Sequence, residues 1–129
     1  MPRNRRGWAI SRQAADQERL SPLMGALIEP ALLILLKEKP QHGYTLLDNL
    51  GSLGLATPHP SVVYRTLRDM EILHWIDSQW DAEETLGPPR RIYALTDHGE
   101  TALQNWLNEM GKASELIKKL SARINGQKE

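Results

Sequence analysis

The last third of the chain carries an apolar stripe that the rest is too small to cover. Leu103, Trp106, Met110, Ala113, Ile117, Leu120 and Ile124 follow one another in steps of three and four, a heptad-like pattern that Leu107 and Leu116 widen. A helix from Asp97 to Arg123 would be about 40 Å long at ~1.5 Å per residue. A preceding domain of roughly 75 residues has a radius of only ~12 Å. The first turns of the helix can pack on that domain, and the remainder needs a second chain. Gly111 costs about 1 kcal/mol against alanine inside a helix, and its small size allows close approach. The expectation is a dimerisation helix over 97–124, with contacts from Leu103, Trp106, Leu107, Met110, Ala113, Ile117 and Leu120, followed by a flexible tail at 125–129.

Upstream, the periodicities come in a fixed order. A helix is predicted from about Leu23 to Lys39. Its run Ala31–Leu36 is apolar all round, which makes it central to a core. Pro30 either falls in the first turn of a helix starting near Glu29 or kinks a longer one. A second helix is expected over 43–50 and a third over 61–73, with Ser61 as N-cap. Residues 75–81 then alternate, with Ile76, Ser78 and Trp80 on one side. Ile92–Leu95 reads as a second strand, and 83–89 between them has loop composition. Thr96 or Asp97 caps the long helix. Three helices, a hairpin and a long helix make a mainly α chain with a small β-hairpin (α+β), a winged helix-turn-helix over 23–96. Residues 1–22 carry five arginines against two acids, a local charge of +3. They read either as a frayed terminus or as a basic arm or extra helix for phosphates.

On the third helix, Val63, Leu67 and Met70 share one face. Ser61, Arg65 and Arg68 lie opposite, with Tyr64 on the shoulder. Arginine can fork onto guanine or phosphate, and hydroxyls can donate to phosphate oxygens. Asp69 and Glu71 keep open the alternative of an ordinary solvated face. Arg90 and Arg91 open the second wing strand. Alternation puts them on opposite faces, one for the sugar-phosphate backbone and one to brace the helices. Asp81, Glu83 and Glu84 make the wing tip acidic, so contact is expected at its base.

The motifs His42-Gly43-Tyr44, Pro60-Ser61-Val62-Val63-Tyr64 and Gly87-Pro88-Pro89-Arg90-Arg91-Ile92-Tyr93-Ala94-Leu95-Thr96-Asp97-His98-Gly99 resemble those of PadR-family transcriptional regulators, in the right order over roughly residues 23–99. Ser61 and Val62 depart from the usual glycine and hydroxyl residue. His74 stands where glycine is usual, at a position expected to be left-handed. The resemblance implies a homodimeric DNA-binding regulator of the repressor type. It implies DNA contacts at Tyr44, Ser61, Tyr64, Arg65, Arg68, Arg90 and Arg91. It also raises a small aromatic effector bound at Trp106 and Met110, whose alternative is plain core packing. Trp8, Trp75 and Trp80 read as packing residues.

Composition narrows the remaining classes. Sixteen basic and sixteen acidic residues cancel, which excludes a polybasic chain. Cysteine is absent, so there are no disulfides, thiol nucleophiles or cysteine zinc sites. The longest apolar run has six residues, far below the ~20 that span a bilayer. No secretory leader is read at the N-terminus, and a cytoplasmic location is expected. His42, His59, His74 and His98 form no metal or triad pattern, so neither catalysis nor a cofactor is expected. Neutral charge and an acidic wing leave a second reading, a winged-helix module that binds protein through the same third helix.

Overall fold

Pro30 sets where the first long helix begins. Lacking an N–H, it cannot bond the carbonyl of residue 26, and its ring crowds that oxygen. In the computed structural model, which describes residues 20–55, 58–81 and 90–127, the expected helix over 23–39 is accordingly broken. A single turn, α1 (Pro22–Gly25), is capped by Ser21, whose Oγ accepts from Met24 N at 3.2 Å. After Ala26 and Leu27 comes α2 (Ile28–Glu38), with Pro30 in its first turn. Leu32 and Leu33 are fully buried, and α2 is the centre of the core.

Pro40 ends α2 in extended chain, which forms β1 (Gln41–His42), a short strand that the sequence reading missed. Gln41 is the one buried polar side chain among the described residues. Its Nε2 donates to the Leu35 and Lys39 carbonyls at 2.8 and 3.3 Å, serving the end of α2. Its Oε1 accepts from Asn49 Nδ2 at 2.8 Å, tying β1 to α3 (Gly43–Ser52).

The helix α4 (Pro60–Ile72) buries Val63, Leu67 and Met70, the predicted face. Its N-cap is His59 rather than Ser61. Proline is favoured at N1 because it has no N–H to lose, so Pro60 starts the helix and the cap falls one residue before it. His59 Nδ1 accepts from Ser61 N at 3.2 Å. At the other end His74 has φ 64°. His74 N donates to Glu71 O at 3.0 Å and Trp75 N to Met70 O at 2.9 Å, which completes a Schellman cap with histidine in the left-handed place.

β2 (Ile76–Asp81) and β3 (Arg90–Leu95) pair antiparallel, and β1 adds to the other edge of β3, giving the order β1-β3-β2. The register sets Ile76 opposite Leu95, Ser78 opposite Tyr93 and Trp80 opposite Arg91. Thr96 begins α5 (Asp97–Gln127): its Oγ1 accepts from Gly99 N at 3.0 Å and donates to the His74 carbonyl at 2.6 Å. The first turns of α5 lie on α2. Ala102 and Leu103 are buried there, Lys37 pairs with Glu100, and Trp106 Nε1 donates to Glu29 Oε2 at 3.3 Å.

Two expectations for α5 need correcting. Leu103 lies in its own domain's core, 3% exposed, because it falls where α5 still crosses α2. The helix also continues past Ile124 through Asn125 to Gln127, where no proline interrupts it. Residues 1–19 of the basic arm, Glu83, Glu84 and Gly87–Pro89 at the wing tip, and the last two residues of the expected tail lie outside the described residues. Among the described residues no helix is long and apolar enough to cross a membrane, and no three or more His, Asp or Glu side chains come together as a metal site would require.

Candidate functional site

Aromatic and basic side chains come together where α3, α4 and the wing meet. A concavity of roughly 410 Å³ is lined by His42, Gly43, Tyr44, Tyr64, Arg90, Arg91 and Tyr93. Four of the seven DNA contacts expected above, Tyr44, Tyr64, Arg90 and Arg91, converge here from three elements.

Gly43 makes the convergence possible. A Cβ at this position would lie 2.6 Å from Tyr64 Cε1 and 2.8 Å from its hydroxyl. The bare backbone of α3 therefore lets the Tyr64 ring come over from α4. Tyr44, next along α3, turns outward. Its ring stacks on His42, with centroids 5.5 Å apart. Arg90 Nη1 donates to the Tyr44 hydroxyl at 2.8 Å, and its guanidinium carbon lies 5.1 Å from the Tyr44 ring centroid. His42 Nε2 stands 2.8 Å from Asp81 Oδ2, fastening β1 to β2.

Arg91 goes to different partners. Its Nη1 donates to Ser78 Oγ at 2.6 Å, and its guanidinium carbon lies 4.5 Å from the Trp80 ring centroid. Ser78 Oγ in turn donates to Glu71 Oε2 at 2.7 Å. The two arginines have different partners, Tyr44 on α3 for Arg90 and Ser78 across the hairpin for Arg91, and both line the same concavity. Burial pushes the Tyr93 phenol above its ordinary value. Glu71 and Tyr64 add to the shift, and Arg91 opposes it. Tyr93 is a buried member of the lining that it shares with the two arginines.

Beside the concavity, α4 presents Ser61, Tyr64, Arg65 and Arg68 outward, all exposed. Ser61 Oγ is 2.8 Å from His59 Nδ1, so its hydroxyl already has a partner. Asp69 is exposed on the same helix, whereas Glu71 is half-buried and bonded to Ser78. Trp80, read as a packing residue, is 60% exposed under Arg91. Cross-strand pairing with Arg91 was the signal that could have shown this. His42 is likewise part of the site, and its adjacency to Gly43-Tyr44 was the available sign.

Along α5, Trp106 and Met110 are half-buried. Leu107, Ala113, Leu116, Ile117, Leu120 and Ile124 are exposed. A second hollow of roughly 290 Å³ is lined by Trp75, Ala102, Asn105, Trp106 and Glu109. Met110 is not in its lining.

Comparison with known proteins gives consistent results. Residues 32–105 match the model of the transcriptional regulator PadR-like family. No protein with a curated description matches the chain. Among solved structures, a conserved protein described as a potential transcriptional factor is 30% identical, covering 82% of this chain and 94% of its own, with a TM-score of 0.68. A PadR-like transcriptional regulator from Bacillus cereus is 25% identical over 78% of this chain and 96% of its own, TM-score 0.67. A PadR-family regulator from Eggerthella lenta is 25% identical over 87% and 88%, TM-score 0.65.

Proposed function

Because the chain belongs to the PadR-like family of transcriptional regulators, we propose that it binds operator DNA as a homodimer, with α4 in the major groove and the wing on the adjacent backbone. The observation that carries this reading is the convergence of Tyr44, Tyr64, Arg90 and Arg91 on one concavity beside the exposed Ser61, Arg65 and Arg68. Two guanidinium groups and two phenols at that spacing suit phosphate oxygens, while Arg65 and Arg68 can reach base edges.

The second copy covers the outer part of α5. Leu107, Leu116, Ile117, Leu120 and Ile124 form an apolar seam that its own domain leaves exposed. A two-fold axis there sets two copies of α4 on successive major grooves, about 34 Å apart. Repression, by occupancy of a promoter, is the mode of regulation taken in this proposal. A cytoplasmic location, within reach of the genome, belongs to the same proposal. The hollow between Trp75 and Trp106 suits a flat aromatic effector, with Glu109 at its edge.

Zero net charge and the exposed Asp69 favour a second reading, in which α4 meets a protein. Fluorescence anisotropy separates the two. On a labelled duplex from the protein's own upstream region, the first reading expects salt-sensitive binding, with preference over unrelated DNA. Absence of binding to either duplex at low salt would transfer the weight to the second.

A further inference from the structure

Arg91 is held by more than one neighbour, and the order of its contacts has a direction. A serine hydroxyl has one proton. Ser78 gives that proton to Glu71 Oε2, so its lone pairs face Arg91, whose Nη1 donates to them. The relay Arg91 to Ser78 to Glu71 therefore runs from β3 through β2 to the last turn of α4. Trp80 lies directly opposite Arg91 in the ladder, and Ser78 lies diagonally from it, within reach of a long side chain. The indole under the guanidinium fixes the plane of the fork while the hydroxyl fixes its rotation. Trp80 is exposed and packs no core, so the fold itself gives no reason for an indole there. Glu71, which would repel DNA on an exposed face, is turned into the fold instead.

We infer that Ser78, Glu71 and Trp80 are positioning residues for Arg91, holding its guanidinium in the cleft in the orientation that meets a DNA phosphate. The inference rests on the DNA-binding reading above. An unheld arginine surrenders its rotamer freedom on binding, whereas a pre-oriented one has surrendered it already. The wing and α4 are thereby presented as one rigid surface, since the relay starts on one and ends on the other.

Two measurements on the full-length protein test this. The first is anisotropy with a labelled duplex from the upstream region, in a cycle of variants whose folding is checked by thermal melts. Ser78→Ala and Trp80→Ala are each expected to weaken binding about fivefold when Arg91 is present. In an Arg91→Ala background they are expected to change nothing. Glu71→Gln, which still accepts from Ser78, retains affinity, and Glu71→Ala loses it. Equal losses with and without Arg91 would overturn the inference, as would a gain in Glu71→Ala from simple removal of repulsion. The second is NMR relaxation of the Arg91 Nε–H group in the DNA-free protein. A rigid group that becomes mobile in Ser78→Ala and Trp80→Ala supports the relay, and a group already mobile in the unmutated chain refutes it. If the unmutated chain binds no duplex at low salt, the DNA reading itself fails, while the relaxation experiment still reports whether Arg91 is held.

Discussion

Gly99→Ala and Gly43→Ala add the same methyl group and are expected to fail in different assays. At Gly99 the added Cβ would sit 2.1 Å from the Trp75 backbone oxygen and 2.5 Å from Leu95 Cδ1. That oxygen cannot retreat cheaply, because it accepts from Thr96 N at 3.0 Å and so helps join the end of α4 to the start of α5. Overpacking against backbone costs about 3 kcal/mol, the upper part of its usual range. The helix-propensity gain of alanine over glycine returns at most ~1 kcal/mol. A net loss of about 2 kcal/mol lowers Tm by roughly 8 °C in a domain of this size. At Gly43 the obstacle is the exposed ring of Tyr64, which can swing aside. Stability there should stay within ~0.5 kcal/mol, but Tyr64 leaves the cleft. DNA affinity then falls roughly tenfold, as one hydrogen bond is lost from each half-site. Urea denaturation and duplex anisotropy on both variants make the comparison. A Gly99→Ala protein as stable as the unmutated chain would refute the packing argument. A Gly43→Ala protein with unchanged DNA affinity would refute the role given to Tyr64.

Arg65→Ala combined with Arg68→Ala should weaken operator binding more than a hundredfold and erase preference over unrelated DNA, since each base contact contributes about 1–3 kcal/mol in each half-site. Retained preference in a binding titration would remove α4 from the groove. Ile117→Glu with Leu120→Glu places four carboxylates on the proposed seam of a dimer and should give a folded monomer by analytical ultracentrifugation; a persistent dimer would place the seam elsewhere. His74→Gly relieves a left-handed histidine, a cost of about 1–2 kcal/mol, against the entropy that glycine adds to the unfolded chain. A gain of about 0.5 kcal/mol in urea denaturation is expected, and a loss would mean that the histidine side chain is itself a contact.

What could be read in the sequence followed from local rules. The apolar run of α2, the Val63–Leu67–Met70 face and the Thr96 cap each depend on residues within a turn of one another, and each is present, while the left-handed place of His74, also present, was implied by the family resemblance. What escaped depended on contacts distant in sequence. β1 exists because Gln41 and His42 find β3 fifty residues on, with too short a run to leave a periodic signal. Leu103 fits the heptad as well as Leu120 does, and only the crossing with α2 separates a core residue from an exposed one. The cap at His59 followed from Pro60, whose preference for N1 outweighed the capping preference of Ser61. Of the seven residues expected at the site, Tyr44, Tyr64, Arg90 and Arg91 share the cleft, while Ser61, Arg65 and Arg68 stand beside it on α4. Trp80 was misread because composition makes tryptophan a core residue by default, and only its opposition to Arg91 says otherwise.

The proposed DNA surface is one face, made by the start of α3, the outward side of α4 and the base of the wing. Backbone amide NMR during titration with an upstream duplex tests it directly. The largest shift changes are expected at residues 42–44, 61–68 and 90–93, with the outer turns of α5 unmoved. Changes concentrated on α5, or spread evenly over the surface and abolished by moderate salt, would contradict it.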